Sequence, residues 1–109
     1  MDIIQKNIFG NNTVYIIPPN YVRTLDDKLK KEISGVIQNL GVNSATIRYE
    51  NGGETKEFSE TVKKFLIEWG LHNVNLMPVL MSEIERNEFS IQVNPGDQNW
   101  AIIKIGPTI

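Results

Sequence analysis

The first seventeen residues hold two runs rich in branched and aromatic side chains, "IIQKNIF" and "TVYII", with "GNN" between them. That pattern predicts a hairpin. "PPN" at residues 18–20 then ends the second strand, because proline has no N–H to give to a ladder. Beyond it the period changes. Leu25, Leu29, Ile33, Ile37 and Leu40 recur at spacings of four, four, four and three, which predicts one apolar face of a helix over residues 25–40. Thr24 stands where an N-cap belongs, and Asp26 and Asp27 sit where the macrodipole favours negative charge. Gly41 follows at the left-handed C-cap position, while Gly35 weakens the helix interior by ~1 kcal/mol relative to alanine.

"ATIRYE" alternates, and the stretch "YENGGETKEF" extends it. A two-residue turn at Gly52 and Gly53 sets Arg48 against Glu57, Tyr49 against Lys56 and Ile47 against Phe58, pairing charges on one face and apolar groups on the other. The expectation is therefore a second hairpin. A second helix is expected over residues 60–69, capped by Ser59 and stopped by Gly70, with Val62, Phe65, Leu66 and Trp69 as its core stripe. "VNLMPVLMSEI" and "EFSIQV" read as two antiparallel strands joined near "ERN", and Pro78 places the first at an edge or a bulge. In the second, Phe89, Ile91 and Val93 alternate with Ser90, Gln92 and Asn94, so one face is wet. "NPGDQN" turns the chain into a last strand, "WAIIKI".

The order ββ-α-ββ-α-βββ predicts a single α+β domain spanning 1–109: a two-layer sandwich of a mainly antiparallel sheet and two amphipathic helices. Its second sheet face must be wet or covered by a partner.

Composition fits one such domain, with 40% apolar and 22% charged residues in a chain of 109. The absence of cysteine excludes disulfides, thiol catalysis and thiolate zinc sites. A net charge of -2 gives no global field toward nucleic acid. The lysines at 28, 30, 31, 63 and 64 alternate with Asp26, Asp27, Glu32, Glu60 and Glu68, as on solvated helix faces. No apolar run reaches the ~18 residues of a membrane span. The opening "MDIIQKNIFGNN" has no basic n-region, so no signal peptide is expected and the cytoplasm is the expected compartment.

Candidate chemistry is sparse. "GGE" lacks the spacing of a phosphate-binding loop and is flanked by Glu50 and Glu54. Glu54 and Lys56 match the acid-x-lysine core of metal-dependent nucleases and would share a face if on a strand, but the nearest upstream aspartate, Asp27, belongs to the first helix. His72 is the only histidine, in a loop after a helix stop, and no serine sits in a nucleophile elbow. Tyr15, Tyr21, Tyr49, Trp69 and Trp100 lack the basic interleaving of a base-stacking surface. The loop "SEIERNE" carries Glu83, Glu85 and Glu88 against Arg86.

By elimination, the sequence favours a protein-binding module over an enzyme. It reads as a small inhibitor or immunity-type protein that masks a partner, with Glu83, Glu85, Glu88 and Trp100 as contact residues and a basic protein as the partner. No catalytic residue, metal, cofactor, nucleic acid or membrane is expected. Two alternatives remain: a small metal-dependent hydrolase or enzyme subunit using a Glu54/Lys56 strand, and a homodimer pairing through "AIIKI" as an edge strand.

Overall fold

The elements follow from where the chain can satisfy its amides and bury its apolar stripes. The computed structural model describes residues 2–8, 11–17, 24–50, 52–79, 84 and 88–107. Strands β1 (Asp2–Ile8) and β2 (Asn11–Ile17) form the expected antiparallel hairpin. Helix α1 (Asp27–Leu40) begins two residues later than its apolar stripe suggested. Asp26, not Thr24, is the N-cap: its Oδ1 accepts the Leu29 N–H at 2.8 Å. An anionic oxygen is the better partner for the positive end of the macrodipole, and the Thr24 carbonyl instead accepts the Asp26 N–H at 3.0 Å. Gly41 closes the helix at φ 71°, the left-handed conformation expected of it.

The "YENGGETKEF" hairpin does not form. Strand β3 (Ser44–Glu50) ends before the glycines, and helix α2 (Gly53–Trp69) begins on them. Thr55, Phe58, Ser59, Val62 and Leu66 are buried along α2, spaced i, i+3, i+4, i+7 and i+11. That continuous stripe outweighs an alternation only a few residues long. Ser59, expected as a cap, is fully buried mid-helix. Gly70 ends α2 as expected.

Because α2 carries the chain back along the sheet, the strand after it, β4 (Asn73–Val79), lies parallel to β3. The expected β4–β5 antiparallel pair is therefore absent. β5 (Phe89–Asn94) lies between β2 and β6 (Asp97–Ile105), antiparallel to both. The six-stranded order is β1-β2-β5-β6-β3-β4. This puts β4 at an edge, where Pro78 is tolerated, and puts "AIIKI" of β6 inside the sheet, so it is not an edge strand. Asn94 Oδ1 accepts the Gly96 N–H at 2.8 Å and tightens the β5–β6 turn.

The fold is thus α+β, with three antiparallel and two parallel strand pairings, and element order ββ-α-β-α-βββ. One apolar layer holds it together. Ala45, Ile47 and Tyr49 of β3 line up in register with Ala101, Ile103 and Ile105 of β6. These join Val14, Ile16, Phe89, Ile91 and Val74 from the same sheet face, and Leu29, Ile33, Ile37, Phe58, Val62 and Leu66 from the helices. Phe58 meets Phe89 edge-on, centroids 5.9 Å apart. Ile84, in the β4–β5 connection, is also buried.

Two glycine substitutions test the helix boundaries with opposite signs. Gly35 is exposed mid-helix and Gly41 has positive φ, and neither Cβ would meet an atom within 4 Å. Gly35→Ala should stabilise by ~1 kcal/mol, and Gly41→Ala should destabilise by ~1–2 kcal/mol, in urea denaturation. Equal effects of one sign would contradict these helix limits.

Candidate functional site

Strand alternation that sends Ala45, Ile47 and Tyr49 to the core sends Thr46 and Arg48 to the opposite face. Register places Ile102 beside Thr46 and Lys104 beside Arg48 on β6. It places Asn75 and Met77 beside the same two residues on β4. Gln92 and Ser90 of β5 lie beside Ile102 and Lys104. Both helices pack against the other side of the sheet. The result is a face that no described helix covers, with Ile102 at its centre, a mixed polar surround, and Ser44 and Ser90 buried within it.

Trp100 is its largest described side chain. The indole is half-buried, and its Nε1–H donates to Thr46 Oγ1 at 2.8 Å, diagonally across the β3–β6 pair. Ser44, opposite Trp100 in register, is buried. The hydrogen bond fixes the ring's orientation while leaving part of it open to solvent. Met77, two strands away on β4, is 47% exposed. The face carries two cations side by side, Arg48 and Lys104.

The expected contact residues are only partly gathered here. Trp100 is on the open face. Glu88 is half-buried, and its Oε2 accepts the Ser90 hydroxyl at 2.7 Å, so this carboxylate is tied to the sheet rather than held out at a loop tip. The Glu88 carbonyl accepts the Gly106 N–H, beyond the end of β6, whereas Trp100 lies near the start of that strand. Six residues of strand separate the two ends, ~20 Å at the usual rise. Glu83 and Glu85, with Arg86, lie outside the described residues. An acidic patch is therefore not assembled among the described residues.

The expected Glu54/Lys56 strand is a correction. Both residues lie in the first turn of α2, and positions two apart on a helix point roughly 200° apart. They cannot share a face as the nuclease pattern requires. The glycine pair does stand between a strand and a helix, the context a phosphate cradle needs. Gly52, however, adopts ordinary extended backbone, and Glu50 and Glu54 place carboxylates on either side. His72 is exposed, as its loop position implied. Among the described residues, no group of three or more His, Asp and Glu could hold a metal ion.

Trp69 is a further correction: it is 42% exposed, not core. Because the buried stripe of α2 runs through Thr55, Phe58, Val62 and Leu66, Phe65 and Trp69 fall to its margin. Phe65 there packs partly against the core, with the Lys30 ammonium 5.7 Å from its ring centroid. Thr46, Met77 and Ile102 were not singled out from sequence, although the alternation of "ATIRYE" and "WAIIKI" carried the signal for two of them.

No protein-family model, curated protein or solved structure matches this chain. Among the described residues, no helix is long and apolar enough to cross a membrane.

Thr46→Val removes the indole's acceptor while keeping the side chain's shape. It should destabilise the fold by ~0.5–1.5 kcal/mol and shift the Trp100 Nε1–H resonance in proton–nitrogen correlation spectra. An unmoved indole resonance would show that the bond is not formed in solution.

Proposed function

We propose that this protein works by binding another protein on its open sheet face, with Trp100 as the anchor. It would act as a small inhibitor or immunity-type module, in a cytoplasmic setting. The observation that carries the reading is the indole pinned by Thr46 on a face that neither described helix covers. A side chain already held in one orientation loses little freedom when a partner closes over it. Tryptophan is also the residue type most often found to dominate binding energy, as a central anchor ringed by contacts that exclude water. Ile102 supplies an apolar neighbour on the same strand, and Thr46, Asn75 and Gln92 supply the polar groups of a rim.

Masking requires a shaped surface rather than a catalytic group. The preference for a basic partner now rests on Glu83 and Glu85, since Glu88 is engaged with Ser90. The apolar anchor does not depend on that preference.

Co-expression with the products of adjacent genes, followed by tagged purification, supplies candidate partners for a direct comparison. Wild type should bind one of them stoichiometrically and reduce its activity. Trp100→Ala should weaken that complex ~30-fold or more, equivalent to a loss of ~2 kcal/mol, with the fold intact by circular dichroism. A complex that forms equally well without the indole would overturn the assignment of this face.

A further inference from the structure

We infer that the chain self-associates through the free edge of β4, a second copy continuing the sheet across a two-fold axis. This goes beyond the proposed binding face, which lies on the broad surface of the sheet and stays open.

β4 is the last strand in the sheet order and has no neighbour on its far side among the described strands. An edge of this kind offers a row of unpaired N–H and C=O groups, which monomeric proteins usually blunt with charged side chains, prolines, bulges or a covering element. Among the described residues, Pro78 is the one such device on β4. Its sequence, "NVNLMPV", contains no charged residue, and Pro78 interrupts its donors only near the C-terminal end. Its seven residues pair one-to-one with β3. The opposite edge strand, β1, carries Asp2 and Lys6 in its sequence.

Apolar side chains flank this edge on both faces of the sheet. On the open side Met77 is 47% exposed. On the helix side Ile67 is 48% exposed, beside half-buried Leu76. Between α2 and β4 runs a groove of about 440 Å³, lined by Glu60, Lys63, Lys64, Ile67, Glu68 and Leu76. Its rim holds two carboxylates and two ammonium groups. Such a rim offers no net field to a strongly acidic or basic partner, but it can complement itself. An antiparallel copy displaced by a helical turn sets Glu60 against Lys64 and Lys64 against Glu60, as an isologous interface requires. The occupant that fits a neutral, two-signed rim and a seven-residue edge is another copy of the same edge.

A two-fold axis relating antiparallel edges stands normal to the sheet, so both open faces remain on the same side. The dimer would present two Trp100 anchors together, and a partner with two sites would gain from their linkage.

Sedimentation equilibrium of the full chain over a micromolar concentration series tests this. Wild type should be in monomer–dimer equilibrium, and Ile67→Glu should weaken it by about tenfold or more. Two charge variants, Glu60→Lys with Glu68→Lys and Lys63→Glu with Lys64→Glu, should each be monomeric alone and form a heterodimer when mixed. Circular dichroism identical to wild type would confirm that these surface changes leave the fold intact. A wild type that stays monomeric at the highest concentration overturns the inference. So does a dimer unaffected by Ile67→Glu and both charge variants, or saturation of the edge by a foreign peptide without competition from a second copy.

Discussion

Everything distinctive about this molecule follows from one-sided burial. Two helices, each ~10 Å across with side chains, cover a width of about 20 Å, or roughly four strands at ~4.8 Å spacing. The sheet has six strands, and both helices lie on one side of it. The apolar halves of the strands beneath them turn the same way. Ala45, Ile47 and Tyr49 do so in β3, and Ala101, Ile103 and Ile105 do so in β6. Period-two alternation then dictates that Thr46, Arg48, Trp100, Ile102 and Lys104 turn the other way, whatever they are for. The open face is the geometric remainder of the core.

The crossover through α2 gives that remainder its limits. It makes β3 an interior strand with parallel neighbours on both sides and leaves β4 exposed at the margin. Trp100 and Thr46 meet only because β6 inserts beside β3, although 54 residues separate them in sequence. The same insertion places "AIIKI" in the middle of the sheet and leaves "NVNLMPV" as the edge among the described strands. Broad face and narrow edge are thus separate surfaces produced by one topology, and occupation of one leaves the other accessible.

Local signals were legible in the sequence where one residue's conformation decides the outcome. Gly41 and Gly70 stop the helices, Pro78 marks an edge, and the turn at Pro95 and Gly96 joins β5 to β6. The α+β class was legible too, since it needs only the two periodicities. What failed were choices between competing periods and between distant partners. "YENGGETKEF" satisfies a hairpin's cross-strand pairing, but Phe58 and Val62 belong to a longer helical stripe that only the whole of α2 reveals. Adjacency of β4 and β5 looked natural because they are consecutive, yet strand order is set by tertiary packing, which no local window contains. Of the site, Trp100 could be found as an aromatic with an unassigned side. Its tie to Thr46 could not, because that contact depends on the order of strands rather than on either segment alone.

The most direct test of one-sided burial is hydroxyl-radical footprinting of the dilute protein, read residue by residue by mass spectrometry. Trp100 and Met77 should oxidise readily in the folded state, while Tyr49 and Phe89 should react only after unfolding. Protection of Trp100 and Met77 in the dilute chain, or early oxidation of Tyr49 and Phe89, would contradict a sheet covered on that one face.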